Sequence, residues 1–234
     1  MKNLFLLAVC CLFSSLSFGQ ESGEFVELTQ QKKDSIAALD LKYREDQFYF
    51  GLSHTLMQGK PSEFKSNSVS LGVDIGFLRD FPINKSRTIA IAPGFGFSYQ
   101  NLRNSFGLAE DGSYTVLTDY KRSSLSLHML DFPIELRWRN STPASHKFWR
   151  AYVGFKASYV LGNRVKTTTD QYSITARNDE NINKWLMGVY VGAGFNTWNF
   201  YAYYGLNTIY KESPIQGDPE RLRLFKVGVI FYIL

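Results

Sequence analysis

Residues 149–159 read Trp149-Arg150-Ala151-Tyr152-Val153-Gly154-Phe155-Lys156-Ala157-Ser158-Tyr159, and their alternation decides the fold. Trp149, Ala151, Val153, Phe155, Ala157 and Tyr159 share one parity, while Arg150, Tyr152, Gly154, Lys156 and Ser158 share the other. Successive side chains of a strand point to opposite faces, so the segment predicts a β-strand with one wholly apolar face and one charged or small face.

The same period of two recurs on both sides. Upstream, Phe48, Phe50, Leu52 and Leu56 form a first apolar face, Val69 to Phe77 on odd positions a second, and Ile89, Ile91, Phe95, Phe97 and Tyr99 a third. The fourth starts on Leu125, Leu127 and Met129 and then shifts to Leu130, Phe132, Ile134, Leu136 and Trp138, a parity slip that predicts a β-bulge at residues 129–130. Downstream, Trp185, Met187, Val189, Val191 and Phe195 form a sixth face, Phe200, Tyr204 and Leu206 a seventh, and Phe225, Val227, Val229, Phe231 and Ile233 an eighth. Glycines and charges occupy the reverse faces: Asp74, Asp131, Glu135, Arg137, Arg150, Lys156 and Lys226 all lie there.

A Lys or Arg facing lipid near the bilayer midplane costs about 2 to 4 kcal/mol. The eight apolar faces carry no Asp, Glu, Lys or Arg, and His54 is their sole residue that titrates near neutral pH. A soluble lipocalin-like calyx shows the same alternation with its apolar side inward, so period alone leaves both open. Connection lengths separate them. Links after strands one, three, five and seven are long (58–67, 102–123, 162–183, 211–221), whereas those after two, four and six are short (80–87, 140–147, 197–199). Long loops at one end and short turns at the other are the outer-membrane arrangement. The expected fold is therefore all-β: an eight-stranded antiparallel up-and-down transmembrane β-barrel, with both chain ends on the short-turn, periplasmic side. Trp138, Trp149 and Trp198 fall beside the short turns as one aromatic girdle, and Trp185 marks the other.

The chain has 234 residues, 44% of them apolar, which suffices for one domain and excludes a disordered chain. Mean hydropathy is −0.19, and no apolar stretch approaches the ~18 residues of a membrane helix. Lys2 followed by the apolar run 4–13 and by Ser17-Phe18-Gly19 reads as a signal peptide over residues 1–19, cleaved before Gln20. An uncleaved anchor or lipidation at Cys10 or Cys11 is the alternative. Cleavage removes both cysteines of the chain, leaving no disulfide framework and no thiolate metal site. Residues 20–46 are polar, with weak helical spacing, and read as a periplasmic N-terminal extension; residues 47–234 form the barrel. The net charge of +5 is too mild to indicate nucleic acid.

Motifs for chemistry are sparse. No phosphate loop, His-Glu-x-x-His or Gly-x-Ser-x-Gly occurs, so no catalytic residue, metal or cofactor is expected. Ser126-Leu127-His128 is the most enzyme-like feature, with Ser126 and His128 assigned to the lumen side. The lumen charges Asp74, Asp131, Glu135, Arg137, Arg150, Lys156 and Lys226 read as a network that neutralises itself inside a filled barrel, with an ion path as the alternative. Arg79, Lys85, Arg87, Arg139 and Lys147 form a basic collar at the short-turn end, suited to phospholipid headgroups or to an acidic periplasmic partner, while the long loops are nearly balanced in charge. Lys226-x-Gly228-x-x-Phe231-x-Ile233 in the last strand looks like the signal by which the barrel-assembly machinery recognises its substrates.

Phe132-Pro133-Ile134-Glu135-Leu136-Arg137-Trp138-Arg139, followed by Lys147-Phe148-Trp149-Arg150-Ala151-Tyr152-Val153-Gly154, resembles the PorT family of Bacteroidetes outer-membrane barrels, with the likeness covering about residues 48–234. The resemblance implies a non-enzymatic accessory of type IX protein secretion, and of gliding in some species. Its expected partners are outer-membrane lipids, the barrel-assembly machinery and other secretion proteins at the periplasmic face. A surface adhesion or protective barrel and a lipid-modifying enzyme are the rival readings.

Overall fold

The computed structural model describes residues 46–59, 69–117, 120–140, 149–211 and 222–233. Its strands are β1 (Asp46–Gln58), β2 (Leu71–Arg79), β3 (Phe81–Pro82), β4 (Ile89–Arg103), β5 (Phe106–Leu108), β6 (Tyr114–Val116), β7 (Arg122–Arg139), β8 (Trp149–Thr168), β9 (Ser173–Arg177), β10 (Trp185–Phe195), β11 (Trp198–Gly205) and β12 (Arg223–Ile233). Eight of them close a ring in the order β1, β2, β4, β7, β8, β10, β11, β12 and back to β1, every neighbour antiparallel. Closure satisfies the backbone of each strand and removes the free edge. The expected leader, and the expected extension up to residue 45, lie outside the described residues.

The alternation fixes which face looks out. Phe48, Phe95, Ile134, Leu136, Val153, Val191 and Phe200 are exposed on the outer wall, while Asp131, Glu135, Arg137 and Lys226 are buried inside. An apolar exterior around a polar core is stable only where hydrocarbon wets the wall, as the outer faces require. Inside, tyrosines lie over glycines of neighbouring strands. A Cβ on Gly154 would come within 2.4 Å of the Tyr190 ring, and one on Gly188 within 2.2 Å of the Tyr203 ring. The glycine-rich inner faces thus make room for rings in a narrow lumen.

The bulge expected at residues 129–130 is not in β7. That strand alternates without interruption, and Leu125, Leu127 and Met129 point inward, in line with Asp131 and Glu135. The extra residue sits in β8: His128 pairs with Gly162 and Met129 with Val160, leaving Leu161 between them. Above Leu161 the inward parity of β8 passes from Lys156, Ser158 and Val160 to Asn163, Val165 and Thr167. Leu125, Leu127 and Met129 are apolar because that level of the lumen is apolar, not because they meet lipid. Ser126 and His128 accordingly lie on the outer wall, the reverse of their expected placement.

Two of the expected long loops contain further structure. The 102–123 connection carries the β5–β6 hairpin, and 162–183 carries β9, which prolongs the sheet beside the upper part of β8. β8 has 20 residues, about twice the 9–11 that a spanning strand needs, so it projects well beyond the bilayer.

Candidate functional site

The lumen holds the chemistry of this molecule, in two layers. In the layer nearer the short turns, Lys156 Nζ donates to Asp74 Oδ1 at 3.0 Å and to Asp131 Oδ2 at 3.1 Å. Ser158 Oγ donates to the other Asp131 oxygen at 2.6 Å, and the Tyr201 hydroxyl to the other Asp74 oxygen at 3.3 Å. Lys226 Nζ lies 5.1 Å from the Tyr203 ring centroid and Lys156 Nζ lies 5.4 Å from it, so one ring serves both cations. Five strands contribute to this cluster because strands that enter a narrow barrel from all sides bring inward residues within reach of one another.

A second cluster lies closer to the short turns. Arg137 Nε donates to Glu135 Oε2 at 2.6 Å, and its Nη1 donates to Asp80 Oδ1 at 2.6 Å and Gln47 Oε1 at 2.8 Å. Glu135 also accepts from the Tyr190 hydroxyl at 2.8 Å. The guanidinium carbons of Arg137 and Arg150 sit 4.9 and 4.7 Å from the Tyr232 ring centroid. A cavity of about 20 Å³, bordered by Asp74, Glu135, Lys156 and Tyr232, lies between the clusters and has room for one water molecule. Removing one partner of such a buried pair strands a charge, which costs about 3–5 kcal/mol.

The layer nearer the long loops is mainly hydrocarbon, with buried Asn163 and Gln100, which accepts from Thr55 Oγ1 at 2.9 Å, set among it. Leu102, Leu125, Leu127, Met129, Val160, Val165, Leu186 and Leu224 fill the lumen there. Above them Phe106 stacks on Tyr114 with centroids 5.2 Å apart, and Tyr210 meets both rings edge-on. Side-chain hydroxyls tie the backbone of this cap down: Leu108 N donates to Thr167 Oγ1 at 2.9 Å, and Ser123 Oγ to Phe106 O at 2.6 Å. Gly107 is needed at that contact, since a Cβ would lie 2.4 Å from Thr167 Oγ1. Tyr114 donates to Asp179, and burial first, then that bond, holds its phenol above the ordinary range; burial does the same to Tyr210.

The predicted site residues distribute as follows. Asp74, Asp131 and Lys156 come together in one cluster, with Lys226 beside them, and Glu135, Arg137 and Arg150 in the other. Asp80, Gln47 and the lumen tyrosines complete these clusters and were not singled out by sequence; a carboxylate beside a short turn next to an inward Arg was the available signal. Trp138, Trp149, Trp198 and Trp185 all point outward, the first three at the short-turn end and Trp185 at the other, against Tyr159. Lys226 and Gly228 face inward and Phe231 and Ile233 outward; a Cβ on Gly228 would meet Leu52 O at 2.2 Å, across the β1–β12 closure.

The basic collar is thinner than expected. Arg139 is buried, its Nη1 3.4 Å from Asp80 and its Nε donating to Arg87 O, because Asp80 at the turn draws it over the rim. Arg79 is paired with Asp46 at 2.5 Å. Lys85 stays exposed in the 83–88 turn, Arg87 is half-buried there, and Lys147 lies outside the described residues. Ser126 Oγ contacts the Tyr99 hydroxyl and accepts from Asn101, and the His128 ring lies against Tyr99, so the described geometry does not join the two as nucleophile and base.

A family profile described as outer membrane protein beta-barrel domain matches residues 27–211. No curated protein matches the chain. Among solved structures it is similar to Ail, the attachment invasion locus protein of Yersinia pestis, at 14% identity over 80% of this chain and 97% of that one, with a TM-score of 0.39.

Proposed function

The chain belongs to the outer membrane protein beta-barrel domain family and resides in the outer membrane, and from that premise we propose that it is a non-enzymatic, non-conducting barrel of the PorT type, an accessory of type IX protein secretion. The filled lumen carries this reading. Ion clusters occupy one layer and packed hydrocarbon the other, so a secreted protein has no path through, and the barrel acts by the surfaces it presents. The resemblance over residues 132–139 and 147–154 supports the secretion role. In this reading the short-turn end faces the periplasm, where secretion partners dock beside Lys85. The last strand hands the chain to the barrel-assembly machinery, and lipids contact the wall.

Deletion of the gene tests it: cargo secretion is lost while surface attachment stays normal, and affinity purification from solubilised envelopes recovers other secretion proteins. Normal secretion after deletion would refute the proposal. One observation favours a second reading, surface attachment or protection: the long-loop end is built as a packed cap on projecting strands. That reading expects the reverse phenotype. The enzymatic rival rests on Ser126, and Ser126→Ala leaves envelope lipid composition unchanged if the barrel has no lipid-modifying activity.

A further inference from the structure

Beyond the apolar band, at the long-loop end, the outer wall of β4, β7, β8 and β9 turns cationic. The ladders set its side chains in rows. Asn101, Ser126, Arg164 and Arg177 stand in one row across the four strands, and Arg103, Ser124, Lys166 and Thr175 in the next. The outward positions of these strands carry no Asp or Glu. The long loops are nearly balanced in net charge, yet the charges at the outward positions of these four strands are bases alone.

Arg164 and Arg177 are direct cross-strand partners, both exposed. Directly opposed side chains have Cβ atoms about 4.5–5.5 Å apart, and like charges there destabilise the sheet unless an anion lies between them. Among the described residues neither makes an ion pair, nor do Arg103 and Lys166. Of the acids nearest in sequence, Asp170 is engaged with Lys121 and Asp179 with Tyr114 and the backbone N of Asn181, while Glu180 is exposed and makes no ion pair with these cations. Neutral bonds hold the row in place, Asn101 Nδ2 donating to Ser126 Oγ at 2.9 Å.

An apolar groove of about 700 Å³ lies on the adjoining wall of β1, β2, β4 and β7, lined by Phe48, Ile75, Phe77, Phe95, Phe97 and Leu130. Its upper rim, Phe97 and Leu130, lies four residues below Asn101 and Ser126 on the same strands and face, about 13 Å along each. An acyl chain seated in this apolar groove would have its headgroup end at the rim that faces the cationic rows.

We propose that this face binds a phosphorylated glycolipid of the outer leaflet, its phosphate oxygens accepting from Arg164 and Arg177 with Lys166 and Arg103 alongside, and an acyl chain in the phenylalanine groove. Guanidinium forks match phosphate oxygens in pairs, which suits two opposed arginines. The proposal shares with the secretion reading only the outward placement of the long-loop end, and lipid retention is measured without reference to secretion.

The full chain, reconstituted in phosphatidylcholine nanodiscs, is exposed to bisphosphorylated lipid A, to lipid A stripped of both phosphates, and to phosphatidylglycerol, and retained lipid is counted by native mass spectrometry. Wild-type protein retains the bisphosphorylated form at least tenfold over the other two. The double variant R164Q/R177Q loses at least tenfold with its heat-dependent gel migration unchanged, R164K/R177K keeps most of the binding, and Lys85→Gln at the opposite rim has no effect. If the arginine pair proves necessary for folding, R103Q/K166Q repeats the test. Equal retention of dephosphorylated lipid, of phosphatidylglycerol, or by the glutamine variants overturns the proposal, as does equal competition by a soluble phosphorylated glucosamine disaccharide without acyl chains.

Discussion

At Lys156 the barrel is filled by ions; at Leu127, six residues along β7 from the Pro133 that pairs with Lys156, it is filled mainly by hydrocarbon. Both layers exclude a pore, but they rely on different physics. The ionic layer depends on matched partners, so its stability sits in a few bonds such as those from Lys156 to Asp74 and Asp131. The hydrocarbon layer depends on volume, spread over many side chains, and forgives change in proportion to the cavity left. The ionic layer also fixes the register of the strands it joins, because each charge has a specific partner. The apolar layer instead seats a cap made from the loops.

The sharpest way to break this contrast is Lys156→Met, which strands Asp74 and Asp131 and should cost about 3–5 kcal/mol in urea unfolding followed by tryptophan fluorescence. A cost under 1 kcal/mol would mean the pair contributes nothing beyond its packing. Leu127→Ala should cost about 2–3 kcal/mol in the same assay, and the double variant should equal the sum within about 0.5 kcal/mol, since the two layers share no partners. A larger departure would show that the layers act as one unit. Gly107→Ala pushes a methyl into Thr167 and should cost the cap roughly 1–3 kcal/mol, read as faster proteolysis within residues 105–117 while the barrel midpoint stays put. The smallest effect is that of pH. The phenols of Tyr114 and Tyr210 are held above their ordinary value of 10.0, so their contribution is fully present below pH 10 and declines as pH rises beyond it. Proteolysis of the cap should therefore accelerate above that pH while the barrel stays folded, and Tyr114→Phe should flatten the dependence.

How much of this was legible in sequence follows from what lies on each side of the wall. In the lower part of β8, from Trp149 to Tyr159, lipid outside and charge inside give opposite signals to alternate residues, and the strand is read directly. The same holds for β10, whose bounds Trp185–Phe195 coincide with the alternating run. At Leu125, Leu127 and Met129 the inside is apolar too, so the alternation no longer says which face is in, and the bulge was assigned to the wrong strand. The partners Asp80 and Arg139 are 59 residues apart, and nothing local announces their contact. The β5–β6 hairpin escaped notice because three-residue strands carry too little period to detect. The cationic face required knowing the ladders, since Arg164 and Arg177 are neighbours only once β9 folds back on β8.

The single inserted residue at Leu161 decides which way the upper end of its strand is turned. Were the bulge ironed out with Leu161 kept in register, Arg164 and Lys166 would swing into the interior and Asn163, Val165 and Thr167 would surface in their place, whereas deleting Leu161 would leave all five facing as they do. The kink itself, rather than the count of residues, therefore stands between a sealed, capped cylinder and a chain with two cations turned inward.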